Sequence, residues 1–209
     1  MSEELPTSFL DFEHLECSTE REIVQSLNNH PWVKIKINED EPRITSYTLN
    51  IKAYNRWLKT EEGKEYGTRG CGDDAIYSAS IFLRKYMSRG FSVYEDKNDF
   101  FVFRGFLKFT GLQSSDEDEQ SSATNHTESF LYEGKRLTDC THFICTEKSN
   151  GENGKWAIRR CNDDSFIIAA GSKNAMKVWK RGETPTFTSD TYLPVVEICN
   201  WVSKYCSTA

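Results

Sequence analysis

A lysine followed two residues later by an amide and then a glycine, Lys148-Ser149-Asn150-Gly151, is the arrangement in this chain best suited to covalent chemistry. The stretch before it, His142-Phe143-Ile144-Cys145, is apolar and rich in β-formers, and reads as a strand that delivers the lysine to a tight turn. Desolvation at such a place lowers the pKa of an ammonium and exposes a nucleophilic amine. Gly151 lets a ligand or another backbone come close. Asn-Gly is also the common hairpin-turn dipeptide, so these residues taken alone read first as a plain turn.

Two other places carry unusual cations. In Phe100-Phe101-Val102-Phe103-Arg104-Gly105-Phe106-Leu107-Lys108-Phe109, strand alternation puts Phe101, Phe103, Gly105, Leu107 and Phe109 on one face. Arg104 and Lys108 share the other face. A guanidinium in so apolar a strand calls for an anion, either an internal carboxylate or a ligand phosphate. Farther on, Gly171-Ser172-Lys173-Asn174 leaves a strand and is followed by Lys177, Lys180 and Arg181. That is a basic surface loop, or a second phosphate-binding group beside Lys148.

Other constellations carry less. Asp163 and Asp164 are adjacent in a turn and point apart, so turn chemistry accounts for them. The seven cysteines are scattered without a CxxC pair, which argues against a disulfide framework or a zinc ribbon. On a strand, Cys145 faces away from Cys140 and His142, so these three make a poor zinc set. Gly67, Gly70 and Gly72 lack the order of a dinucleotide-binding fingerprint.

The elements that must position these groups are legible in outline. Ser18 or Thr19 with Glu22 predicts a capped helix to about Asn28, laid over the core. Trp32 to Ile37 alternates as a half-exposed strand, Arg43 to Leu58 is ambiguous between strand and helix, and Glu61 to Gly72 reads as a loop. Asp73 or Asp74 caps a helix to about Ser88, with Ile76, Ala79, Leu83 and Tyr86 at helical spacing and Gly90 ending it. Residues 113–128 are polar and acidic, a solvated mobile loop. Residues 155–161 and 165–170 form a hairpin across Asn162-Asp163-Asp164, and Tyr192 to Cys199 begins a strand or a helix.

Length and charge bound the rest. The 209 residues suffice for one good-sized core, and 37% hydrophobic content is that of a globular chain. A net charge of −6 confines any nucleic-acid contact to a local cleft. No apolar run spans a bilayer and the Met-Ser-Glu-Glu start is unlike a secretory signal, so the expectation is an intracellular protein, nuclear or cytoplasmic, away from membranes. Nothing in the sequence sets an oligomeric state.

Lys148-Ser149-Asn150-Gly151 resembles the Lys-x-Asp/Asn-Gly motif of covalent nucleotidyltransferases, and its frame from Thr146 to Asn153 looks most like the RNA ligases. Phe103-Arg104-Gly105-Phe106-Leu107-Lys108-Phe109 is similar to that family's Arg-Gly strand and to its Lys-Phe-Phe segment. The hairpin ending in Gly171-Ser172-Lys173-Asn174 resembles its Ser-Lys element. The resemblance covers residues 100–175 and divides the chain into an N-terminal region, 1–99, and a nucleotidyltransferase-like core, 100–209. It implies an α+β fold with antiparallel sheets enclosing a nucleotide cleft and helices outside. It also implies that Lys148 attacks the α-phosphate of ATP, forming lysine–AMP and releasing pyrophosphate, to activate or join RNA ends. Arg104, Glu147, Asn150, Gly151 and Lys173 then bind nucleotide, Mg²⁺ or Mn²⁺ neutralises the phosphates, and Glu197 is the family's later, metal-binding glutamate on a strand. The family's Glu-Gly and Lys-x-Lys strands are not found in this chain. A degenerate nucleotide- or RNA-binding relative and a non-catalytic α+β interaction module are therefore the alternatives.

Overall fold

A computed structural model describes residues 9–39, 41–68, 72–105, 139, 141–142, 154–172, 175–188 and 191–206. The chain divides into a unit of residues 1–107 and 152–209 and a second unit of residues 108–151. Nearly all of the second unit lies outside the described residues, and with it the acidic stretch 113–128.

The first unit is mixed α+β with two antiparallel sheets. Two helices lead in, α1 (Phe9–Glu13) and α2 (Glu20–Asn29), the latter begun by the expected capping box. Thr19 Oγ1 accepts from the Glu22 amide at 3.2 Å, and the Glu22 carboxylate accepts from the Thr19 amide. Strands β1 (Val33–Ile37) and β2 (Ile44–Leu49) form a hairpin, followed by four helices: α3 (Ile51–Trp57), α4 (Glu61–Tyr66), α5 (Asp73–Ala79) and α6 (Ile81–Tyr86). Strands β3 (Ser92–Glu95) and β4 (Phe100–Phe103) complete the first sheet in the order β1-β2-β3-β4. Strands β5 (Lys155–Arg160), β6 (Phe166–Gly171) and β7 (Met176–Lys180) make the second sheet, and α7 (Leu193–Cys206) follows.

Strand register sorts side chains into three cores. On the first sheet Thr45, Val93 and Val102 are cross-strand partners; Val93 and Val102 pack with Trp32, Tyr54, Phe82 and Leu83 of the helical side. The opposite face, with Ile44, Tyr94 and Phe103, meets Cys161, Ile167, Ala169 and Met176 of the second sheet. That sheet turns Ile168, Ala170 and Trp179 to the buried residues Val195, Cys199 and Val202 of α7, whose spacing makes one helical stripe. Each fully buried aliphatic side chain in these layers contributes roughly 1.5–3 kcal/mol. Several polar ties among the described residues join the sheets. Asn162 donates from its amide to Asp99 Oδ1 at 2.8 Å, Asn38 Nδ2 to the Met176 carbonyl at 3.2 Å, and Lys155 bridges at the start of β5.

Several expectations need correction. The 61–72 loop contains α4, because Thr60 Oγ1 caps it by accepting from the Gly63 amide. The helix expected over 73–88 is two, broken at Ser80, whose extended backbone ends α5 while its Oγ caps α6. Gly72, not an aspartate, occupies the N-cap position of α5, at φ 71°. Residues 176–180 are strand β7 rather than a basic loop, since Met176 and Trp179 alternate into two different cores. Strand β4 ends at Phe103 rather than running on through Arg104 and Gly105. The 99/100 boundary falls within the β3–β4 hairpin, so both sides of it share one sheet. Among the described residues no helix is long and apolar enough to cross a membrane.

The break at Ser80 is held from a distance. Glu13 accepts from Ser80 Oγ and from the Ile81 amide, both at 2.5 Å, and Ser80 Oγ accepts from the Leu83 amide at 3.1 Å. Ser80 is fully buried. Its replacement by alanine leaves the α6 N-terminus and the Glu13 carboxylate without that hydroxyl, and we expect a loss of about 1–2 kcal/mol in urea-unfolding free energy.

Candidate anion-binding cleft

Among the described strands β4 and β5 stand at the ends of their respective sheets, and a cavity of about 340 Å³ opens beside them. Its lining includes Phe103, Arg104, Lys155, Arg159 and Met176, with Glu20 of α2 the one carboxylate among the described residues. Period-two alternation explains the two β5 cations: Lys155, Ala157 and Arg159 share the face turned to the first sheet, while Ile158 packs toward α7.

Lys155 is 8% exposed and donates from Nζ to the Gly90 carbonyl and to Ser92 Oγ, the latter at 3.2 Å. Both acceptors are uncharged. Burial pushes its ammonium from 10.5 down to about 7, so near neutrality the group is poised between amine and ammonium. Arg104 leans over the Phe91 ring, 5.7 Å from its centroid, and its Nη2 meets Glu20 Oε1 at 3.2 Å. That is the internal carboxylate which the sequence offered as the ordinary partner for this guanidinium. The pair is partly exposed, at 33% and 49% of the side chains, so it is weakly held and exchangeable. Arg159 lies 5.8 Å from the Phe103 centroid with its Nη1 on the Ile158 carbonyl at 3.3 Å. Gly105 is needed beside Arg104, since a Cβ there would come within 2.9 Å of the Arg89 carbonyl.

Three cations around one cavity can hold an anion, and the buried lysine strengthens that as it protonates. Of the site residues expected from the sequence that are described, Arg104 lines this cleft. Glu197 lies on α7, a helix where the resemblance asked for a strand, and its side chain is exposed. The cause is the stripe Val195, Cys199 and Val202, which needs helical spacing to reach the second sheet. Lys148, Glu147, Asn150, Gly151 and Lys173 lie outside the described residues, as do Cys140 and Cys145. Ser172 is buried at the end of β6, and its amide donates to the Ala175 carbonyl at 2.8 Å in the β6–β7 turn. Among the described residues no group of three His, Cys, Asp or Glu is placed to hold a metal.

Sequence reasoning read Lys155 and Arg159 only as part of a hairpin strand and missed them as site residues. Alternation with Trp156 and Ile158 puts the two on one face, which is buried at Lys155 and exposed at Arg159. The aspartate pair behaves as turn chemistry requires: Asp163 Oδ1 accepts from the Ser165 amide at 3.0 Å, and Asp164 takes φ 65°.

The lowered lysine pKa has a thermodynamic sign. An unfolded lysine keeps its proton to about pH 10.5 and the folded one releases it near 7, so between these values the unfolded chain binds the extra proton. Folding stability therefore rises with pH across that window, by at most about 1.4 kcal/mol per unit. It is lost again as pH falls toward 7. In urea unfolding, wild type minus Lys155→Met should show this slope, and a flat difference would mean that Lys155 is solvated.

No protein-family model, no curated protein and no solved structure matches this chain.

Proposed function

We propose that the chain binds a phosphate-bearing ligand, a nucleotide or an RNA end, in the cleft of Arg104, Lys155 and Arg159. The observation that carries this reading is that three cations line one cavity, one of them buried against a carbonyl and a hydroxyl, with Glu20 the one carboxylate among its described residues. Such a cleft suits a chain whose net charge of −6 otherwise repels polyanions. Phosphate displaces Glu20 from Arg104 and draws Lys155 toward its ammonium form.

The enzymatic form of this proposal takes its chemistry from the resemblance to RNA ligases. Lys148 attacks the α-phosphate of ATP, the bond to pyrophosphate breaks, and lysine–AMP activates an RNA end. Glu147, Asn150 and Gly151 hold the nucleotide, Arg104 and Lys173 the phosphates, and Mg²⁺ or Mn²⁺, with Glu197 the proposed ligand, neutralises the leaving group. What supports it is the order of the motif residues in the sequence together with a cationic cleft at the Arg104 end of β4.

A second reading, a non-catalytic interaction module, is favoured by one observation: Arg104 already has an acid of its own chain, Glu20 at 3.2 Å.

Incubation with α-labelled ATP and Mg²⁺ or Mn²⁺, followed by a denaturing gel, separates these. The enzyme reading expects label on the wild type and on Glu197→Ala more weakly, and none on Lys148→Ala. Equilibrium binding of ATP and of 5′-phosphorylated RNA should weaken about tenfold or more in Arg159→Ala, the size of a lost charge-assisted hydrogen bond. It should also tighten as pH falls through 7. Absence of label with binding intact leaves a nucleotide or RNA binder. If neither label nor binding is seen in the folded protein, the module remains.

A further inference from the structure

Among the described strands β1 stands at the end of the first sheet, and both of its faces reach solvent. Lys34 and Lys36 share the face of Thr48 and Ser46, their cross-strand partners on β2. Ile35 and Ile37 lie on the other face, opposite Tyr47 and Thr45, and are 41% and 61% exposed. Two isoleucines exposed together on an end strand leave apolar surface that one more strand would cover.

The hydrogen-bond register fixes what the backbone of β1 offers. The Asn50 amide donates to the Trp32 carbonyl at 2.7 Å, and the Asn38 amide to the Ile44 carbonyl at 2.9 Å. Along an antiparallel ladder, pairs that exchange hydrogen bonds alternate with pairs that do not. Trp32, Lys34, Lys36 and Asn38 therefore turn their backbone groups to β2, and Val33, Ile35 and Ile37 turn theirs away. The Val33 amide is already used, donating to the His30 carbonyl at 3.1 Å. The outer edge thus presents the amides and carbonyls of Ile35 and Ile37, with a lysine before each.

The side chains select the strand that fits. Residues directly opposite on neighbouring strands share a face. A second copy of β1, laid antiparallel with isoleucine against isoleucine, would set lysine against lysine, and like charges directly opposite are destabilising. Both lysines are exposed, and neither has an ion-pair partner among the described residues. A strand of alternating acidic and apolar residues suits both faces, its carboxylates beside Lys34 and Lys36 and its apolar side chains beside Ile35 and Ile37. Lysines on an end strand also repel stray strands, but that role does not need two isoleucines in solvent.

We propose that β1 receives an extended acidic segment of a partner protein, which pairs with it antiparallel as an added strand of the first sheet. The surface is separate from the anion cleft and does not depend on that reading.

The test titrates the full chain into the peptide fluorescein-Gly-Thr-Val-Glu-Val-Glu-Val-Thr-amide and reads fluorescence anisotropy. Saturable binding is expected, several-fold weaker with glutamine in place of glutamate and weaker still with lysine. The double variant Lys34→Glu, Lys36→Glu should reverse that order. Antiparallel pairing sets valine opposite isoleucine, so the valine amides are the ones that bond to β1. N-methylation of the valines is expected to abolish binding, and N-methylation of the glutamates to leave it unchanged. Ile35→Pro removes an amide that β2 does not use, so the chain stays folded, which its unfolding midpoint verifies, and it should lose the peptide. No saturable binding would overturn the proposal and leave the lysines as guards of the edge. Binding that survives valine methylation would overturn it as well. So would a single-stranded oligonucleotide that binds more tightly than the peptide and loses that affinity in the double variant.

Discussion

Everything in the described unit is arranged around a buried lysine between two sheets. Lys155 projects from the first residue of β5 into the inter-sheet layer, where the Gly90 carbonyl and Ser92 Oγ receive it. A charge in such a place costs several kcal/mol unless neutral dipoles or a shifted pKa relieve it. Here both occur, and the ammonium is brought down to about 7. The layer around it is otherwise apolar, with Ile44, Tyr94, Phe103 and Ile167 close by in sequence register. The lysine thus ties β5 to β3 while remaining able to change its charge near neutrality.

The segment from Ser88 to Ser92 receives two of the cleft's cations, Lys155 on the Gly90 carbonyl and Ser92 Oγ and Arg104 over the Phe91 ring. Gly90 takes φ 73°, a conformation open to glycine at little cost, and its carbonyl is thereby presented to Lys155. Phe91 is fully buried against Tyr47 and also carries the Arg104 guanidinium on its face. The same segment carries two buried polar atoms without a hydrogen-bond partner among the described residues, Ser88 Oγ and Arg89 Nε. One short turn therefore sets the positions of both groups. The close approach of Gly105 to the Arg89 carbonyl brings the end of β4 against the same turn.

A buried histidine marks the helical side in a similar way. His30 is 3% exposed, accepts the Trp32 amide at Nδ1 and stacks on Phe82, and burial lowers its pKa to about 3. It is a neutral member of an aromatic cluster with Phe9, Phe12, Trp32 and Trp57. That cluster fixes α1 over β1, and so positions Glu13 to cap α6.

The sequence by itself determined those elements whose signal is local. The Thr19–Glu22 capping box and the Asn162-Asp163-Asp164 turn act over a few residues, and each is present where its chemistry placed it; β1 forms where a half-exposed strand was expected, but Lys34 to Ile37 are all exposed rather than alternating. Arg104 was recognisable as a cation needing an acid, although its partner Glu20 lies 84 positions away and could not be read. What only the tertiary structure decided depends on long-range packing. Ser80 breaks a helix because Glu13 reaches it from α1; residues 176–180 become a strand because β6 offers them an edge; and Glu197 rides a helix because α7 covers the second sheet. Lys155 could not be distinguished from a solvent-facing cation until another sheet was laid over it, whereas Arg159 on the same face stays exposed. Alternation in a strand says which residues share a face, but only the partner across that face decides whether it is wet or buried.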